Sequence, residues 1–154
     1  MTRVATGRFT TEARAELLAV ADPIELVALA DSIVAELGEP ALLAPPEIGL
    51  VVLQVREPVC AERFHLGEVV VTRAEVTLPP AGTRGWAMRL GTDRVATLAA
   101  AVCAAAAETD LVTDTDFATH VDDLCAVTAR RRDVIEAEEW RELAATEVRF
   151  EELD

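Results

Sequence analysis

The spacing of apolar and polar positions at the start of the chain predicts two helices. Thr10 or Thr11 is suited to cap a first helix, with leucines and alanine following on one side. Asp22 and Pro23 form a second start signal, because aspartate caps helices and proline suits the first helical position. Apolar residues then recur at helical spacing until Gly38, where we expect the helix to end. The first forty residues therefore predict a helical hairpin.

The middle of the chain changes to the patterns of β-strands. Residues 48–56 are β-branched and apolar on both faces, which predicts a central strand. The even positions from Phe64 to Leu78 are mostly apolar, so we expect one face of a second strand to point inward. Gly67 and Glu68 interrupt this alternation and predict a tight turn or a bulge.

A further strand and two more helices complete the expected fold. A proline-glycine turn at residues 79–82 precedes a strand on which Trp86, Met88 and Leu90 alternate. An alanine-rich helix capped at Thr92 or Asp93, and a long last helix, are predicted after it. We therefore expect one α+β domain spanning residues 1–154: a helical hairpin, an antiparallel sheet of three to four strands, and C-terminal helices packed on that sheet.

Charge narrows the class of partner. The formal net charge is −14, which argues against nucleic acid or an anionic membrane, since both attract positive surfaces. Residues 133–154 hold nine acids against two arginines, which predicts a solvated helix face or a docking surface for a basic partner. The three arginines at 130–132 are expected either to pair with the acids that follow them or to dock a partner.

Cysteine usage and hydropathy predict a cytoplasmic protein that carries no cofactor of its own. Cys60, Cys103 and Cys125 are far apart and show no zinc-binding spacing, so we expect neither a disulfide framework nor a structural zinc site. The first residues lack the apolar run of a signal peptide. The uncharged segment at 95–107 is too short to span a bilayer.

Candidate chemistry concentrates in residues 63–78, RFHLGEVVVTRAEVTL. His65 lies near Glu68, and histidine is the side chain best suited to transfer protons at neutral pH, so a proton shuttle is conceivable there; bonding to a neighbour is the alternative. Arg63, Arg73 and Arg89 are candidates to gather on the outer sheet face and bind a phosphate, a carboxylate or a partner. Pairing with glutamates on adjacent strands is the alternative explanation for these arginines.

No complete catalytic set is evident. GxSxG, P-loop, GxGxxG and HExxH motifs are all absent. Asp116, His120 and Asp123 share one helix face and form a candidate metal site, although the same spacing is ordinary for a solvated polar face. On residues alone, a binding or assembly role is favoured over an independent enzyme, and we assign no catalytic residue.

Five segments between residues 47 and 94 together resemble a known family. They read EIGLV, ERFHLGE, VTRAEV, GW and LGTDR, and they are similar to the PhnG family, a small subunit of the bacterial carbon–phosphorus lyase core complex. The similarity extends over about residues 10 to 150.

The resemblance implies a role in phosphonate catabolism. It implies three kinds of partner: a nucleosidase-type subunit, a radical S-adenosylmethionine subunit and a third small subunit. Together they displace adenine from ATP with an alkylphosphonate, giving ribose 1-phosphonate 5-triphosphate, and later break the carbon–phosphorus bond. It also implies that the iron–sulfur cluster belongs to another subunit. An independent small metal-dependent hydrolase, or a scaffold that has drifted to a new partner, remain the alternatives.

Overall fold

The expected α+β architecture is confirmed in the computed structural model, which describes residues 9–109, 115–144 and 146. Within these residues the chain forms four helices and one antiparallel sheet of three strands in the order β1-β2-β3. The predicted sequence of helices, sheet and helices is observed. The elements are α1 (Thr11–Val20), α2 (Pro23–Leu37), β1 (Ala41–Arg56), β2 (Arg63–Leu78), β3 (Thr83–Leu90), α3 (Arg94–Ala107) and α4 (Phe117–Ala144).

The predicted helix ends are confirmed. The Thr10 side chain accepts a hydrogen bond from the backbone of Ala13 at 3.2 Å. The Asp22 carboxylate accepts two backbone N–H groups at 2.9 and 3.1 Å, and Pro23 occupies the first helical position. Gly38 ends α2 with a φ of 99°, a conformation in which a Cβ is strained. These ends satisfy backbone groups that a helix otherwise leaves unpaired.

The prediction of a central strand at residues 48–56 is wrong in position and in extent. β1 is an edge strand that begins at Ala41 and includes two prolines, and β2 lies at the centre. An edge strand tolerates proline because one row of its backbone groups does not join the ladder. Much of β1 is also exposed, with Leu50 64% and Val52 50% accessible. Its apolar pattern therefore does not reflect burial among the described residues.

β2 alternates as expected only in its second half. Thr72, Ala74, Val76 and Leu78 are buried, whereas Phe64, Leu66 and Val70, which the pattern placed inside, are exposed. The strand continues through the expected break. Leu53 pairs with Gly67 and Gln54 with His65, so Leu66 is an extra residue. This is a β-bulge, one residue before the predicted position.

β3 forms as predicted, but its large apolar residues face away from α3. Trp86 and Leu90 are 47% and 73% exposed, while Gly85, Ala87 and Arg89 are buried. The register explains the choice of face, because Ala87 lies directly opposite the buried Ala74. Small residues on the inner face allow α3 to lie close to the sheet.

The core lies between the sheet and the helices. α3 contacts all three strands, α2 and α4, and ten of its residues are buried. The first half of α4 adds Phe117, Val121 and Leu124 to this core. No helix in the described ranges is both long and apolar enough to cross a bilayer.

Candidate interaction surface

A two-stranded arm extends beyond the helix-covered part of the sheet. β3 pairs with β2 only from Leu78 back to Val71, so the rest of β2 has β1 as its sole strand partner among the described residues. We call residues 50–70, from the Leu50–Val70 pair to the connection at the tip, the arm. From Val70 to Arg63 it measures about 24 Å at the usual strand rise.

One face of the arm continues the inner face of the sheet. Ile48 lies opposite Thr72, which is fully buried, and Leu50 lies opposite Val70, two residues further along both strands. Directly opposite residues share a face, and so do residues two apart on one strand. We call this the core-side face of the arm. It consists of Leu50, Val52, Gln54, Arg56, Arg63, His65, Glu68 and Val70.

Apolar side chains are exposed on both sides of the arm. On the core-side face Leu50 and Val70 are 64% and 41% accessible. On the opposite side Leu53 and Phe64 are also exposed, as is Leu66 at the bulge. A two-stranded ribbon is marginally stable in water unless something packs on it. A contiguous exposed apolar surface of this kind is typical of a binding site.

Three of the five predicted site residues meet on the core-side face of the arm. Arg63, His65 and Glu68 are exposed there, and Arg56 lies directly opposite Arg63. Like charges in directly opposite positions destabilise a strand pair. Within the described part of the chain, neither Arg56 nor Arg63 forms an ion pair. The tip of the arm therefore presents two uncompensated cations beside His65.

Arg73 lies on the other face of the sheet. Its guanidinium donates to the Glu47 carboxylate at 3.2 Å, and both side chains are more than half exposed. Glu75, the neighbour on the same face, bonds to Arg84 on β3. Cross-strand pairing thus accounts for Arg73, and its partner is Glu47 on β1. Such exposed pairs contribute little to stability.

Arg89 is buried and supports a helix end. It is 9% exposed, and its guanidinium donates to the backbone carbonyls of Leu18 and of Ala21, the latter at 2.8 Å. Burial lowers the pKa of Arg89, although the nearby negative charges of Asp93 and Asp22 act to raise it. The expected gathering of Arg63, Arg73 and Arg89 on one outer face is therefore wrong. The three side chains occupy three separate environments.

A buried ion network that the pattern did not predict joins three helices. Arg14 is 3% exposed and donates to Asp122 at 2.7 Å and to Glu108 at 2.9 Å. Burial opposes the charge of Arg14, but the hydrogen bonds and charges of the two carboxylates raise its pKa. The sequence did carry one signal for the burial of Arg14: this residue falls on the same helical stripe as Leu17 and Leu18.

The network borders a cleft of about 220 Å³ between β3, α1 and α3. Trp86 and Ala104 contribute to its mostly apolar wall. Two of the three guanidinium nitrogens of Arg14 bond to Asp122 and the third to Glu108. The cleft consequently offers no unpaired cation from Arg14 to an anionic ligand.

The candidate metal face on α4 is explained by local contacts. The Asp116 carboxylate accepts the backbone N–H of Thr119 at 3.1 Å and its hydroxyl at 2.7 Å, which lowers the pKa of Asp116. His120 packs edge-on against Phe117, with ring centroids 6.3 Å apart. In the described ranges no three side chains of the metal-binding types come together.

The second half of α4 forms another exposed surface. Val134, Ile135, Trp140 and Leu143 are all more than half accessible. Arg131 pairs with Glu25 of α2 through two hydrogen bonds of 2.7 and 2.9 Å, not with the acids that follow it in sequence. The predicted acidic segment is helical and exposed up to residue 144, and its remainder, apart from residue 146, lies outside the described residues.

Comparison with known proteins places this chain in a family. A family model described as "Phosphonate metabolism protein PhnG" matches residues 10–153, nearly the whole chain. The chain belongs to the PhnG family. No curated protein matches the sequence. The family match confirms the resemblance of the 47–94 segments and a role in phosphonate metabolism. In this PhnG-family chain, those segments include residues 50–51 and 62–68 of the arm.

Proposed function

We propose that this chain is a subunit of a carbon–phosphorus lyase core complex and has no self-sufficient active site. The exposed arm carries the proposal. Its core-side face and its opposite face both expose large apolar side chains, with Leu50 64%, Leu66 62% and Phe64 45% accessible. Surfaces of this kind are expected to be covered by another protein. Membership of the PhnG family supports phosphonate metabolism as the setting of this role.

The reaction assigned to the complex follows from the resemblance. Adenine of ATP is displaced by an alkylphosphonate to give ribose 1-phosphonate 5-triphosphate, and a radical subunit later breaks the carbon–phosphorus bond. In our proposal this chain acts in the cytoplasm and supports the first step by assembling the enzyme, while the nucleosidase-type and radical subunits hold the substrates and the iron–sulfur cluster.

The described residues support an assembly role over independent catalysis. Cys103 and Cys125 are buried, and Cys60 is at the exposed tip of the arm, so the thiols are not placed to share one metal. Burial raises the pKa of Cys103 to about 12 and that of Cys125 to about 11, which keeps both protonated and unreactive at neutral pH. His65 is exposed, and its side chain makes no hydrogen bond to the described residues.

Two experiments test the proposed function. The tagged chain is co-expressed with its neighbouring phosphonate genes and purified by affinity; we expect partner subunits to be recovered in a fixed ratio. Deletion of its gene is expected to abolish growth on an alkylphosphonate as sole phosphorus source, with growth on inorganic phosphate unaffected. Recovery of the chain alone, together with unimpaired growth of the deletion strain, would refute the proposal and favour a drifted scaffold.

A further inference from the structure

We infer that the core-side face of the arm binds an amphipathic helix of a partner subunit, with carboxylates of that helix against Arg56 and Arg63. This inference rests on the proposed function, because it requires a partner. It goes further by naming the surface and the chemistry of the segment that covers it.

The apolar part of the argument is continuity with the core. Along the buried half of β2, the same face is covered by the alanine-rich helix α3, which contacts all three strands. α3 begins at Arg94, just after β3 ends, and Val95 in its first turn is 65% exposed. Beyond that point the face continues as Leu50, Val52 and Val70, without a helix on it among the described residues. A sheet face that accepts one helix is chemically suited to accept a second.

The dimensions of the arm fit this occupant. At about 24 Å, the face has the length of a helix of about 16 residues, or four to five turns. A helix in this position extends the layer that α3 already forms over the sheet. Such a helix also covers both strands of the ribbon and removes water from them, whereas contact with a single residue of a partner does not.

The charged part of the argument is the pair at the tip. Arg56 and Arg63 are opposite each other, and the Gln54–His65 pair lies beside them on the same face. Of the two acids in the connecting turn, Glu57 accepts the backbone N–H groups of Val59 and Cys60, and Glu62 forms no ion pair with either arginine among the described residues. A guanidinium binds a carboxylate through two parallel hydrogen bonds, so one or two acids at the end of the incoming helix offset the Arg–Arg repulsion.

Charge also argues against other occupants. A second copy of this chain offers on the same face one carboxylate, Glu68, against two arginines, so a symmetric pair compensates Arg56 and Arg63 less well than an acidic helix does. Nucleic acid and anionic membranes are disfavoured by the net charge of −14. Neither objection applies to a partner helix that is apolar along its length and acidic at one end.

Co-purification of surface variants with the partner subunits tests the inference. Leu50→Asp and Arg63→Glu alter the core-side face. Val20→Asp and Ile24→Asp alter positions outside the arm, on α1 and α2, that are 56% and 80% exposed. We expect Leu50→Asp and Arg63→Glu each to reduce partner recovery about tenfold or more, as for central interface positions. Arg63→Lys keeps the charge but not the two parallel hydrogen bonds, so we expect a smaller loss than in Arg63→Glu, and the two control variants bind as wild type does. Only variants whose melting temperature equals that of the wild type are compared.

A photo-crosslinking residue at position 50 identifies the occupant. We expect it to join a partner helix whose sequence carries aspartate or glutamate at one end, and the same residue at position 24 to give no product. Wild-type recovery by both Leu50→Asp and Arg63→Glu refutes the inference while leaving the proposed function intact. So does a crosslink to a second copy of this chain, or an equal loss in Val20→Asp. Wild-type chain that retains no partner refutes the proposed function itself.

Discussion

Gly85→Ala tests how closely α3 lies on the sheet. A Cβ built at Gly85 comes within 2.5 Å of the backbone nitrogen of Ala105 and 2.7 Å of its Cβ, and still closer to the carbonyl oxygen of Ala101. Cβ atoms are not found so close to other heavy atoms. Two of these three contacts are to helix backbone, so a change of side-chain rotamer cannot relieve them.

The expected cost follows from the kind of atom that must move. Overpacking a core usually costs about 1–3 kcal/mol, with the low values found where flexible side chains give way. Here α3 itself must shift, and α3 contacts every strand, so we expect about 3 kcal/mol. For a domain of this size that corresponds to a melting temperature lower by about 6–12 °C.

Urea and thermal unfolding followed by circular dichroism measure this loss. Gly49→Ala is the matched control, because that glycine is also in the sheet but a Cβ there meets nothing within 4 Å. We expect Gly49→Ala to change the free energy of unfolding by less than about 1 kcal/mol. If Gly85→Ala is as stable as Gly49→Ala, with an unchanged urea dependence, the close approach of α3 to β3 is wrong.

Three further predictions concern the buried polar groups. Asp122→Ala leaves Arg14 buried without its main partner and is expected to cost about 3–5 kcal/mol in urea unfolding; adding Arg14→Met to it should restore part of that loss, and no restoration would contradict the pairing. Arg89→Met removes the donors to two α1 carbonyls and is expected to cost about 2–3 kcal/mol by the same assay, whereas a neutral result would contradict that role. Cys103, with its pKa raised to about 12, holds its proton more tightly in the folded than in the unfolded state. The contribution of Cys103 to stability should therefore fall as pH rises above about 8.5, by about 2 kcal/mol at pH 10, and Cys103→Ala should remove that part of the fall.

Local features of the fold were predictable from the sequence because short-range chemistry decides them. Thr10 and Asp22 begin helices and Gly38 ends one, as expected, and each acts on backbone groups within a few residues. The bulge near Gly67 was also visible as a break in alternation. In contrast, the inner face of β3 depends on α3, which is distant in sequence. Trp86 satisfied the apolar pattern but faces outward, since only Gly85 admits the helix backbone.

The candidate site was predictable only in part, for the same reason. Arg63, His65 and Glu68 were singled out from one short segment, and they do share a face of the arm. Arg56 was not singled out, because its position opposite Arg63 depends on the pairing of two strands. The burial of Arg89 likewise depends on the carbonyls of α1, about seventy positions earlier in the chain. Charge in a strand indicates a candidate residue, but tertiary contacts determine its environment.

The incorrect placement of β1 supports the assembly proposal. Residues 48–56 have the composition of a strand buried on both faces, yet Leu50 and Val52 are at least half exposed in this chain. An isolated protein gains nothing from exposing such residues, because each exposed apolar side chain favours aggregation. The pattern and the exposure agree if β1 is covered by another subunit. A partner helix on the core-side face then makes the arm part of a core that two chains share, and the apolar pattern of residues 48–56 describes that shared core.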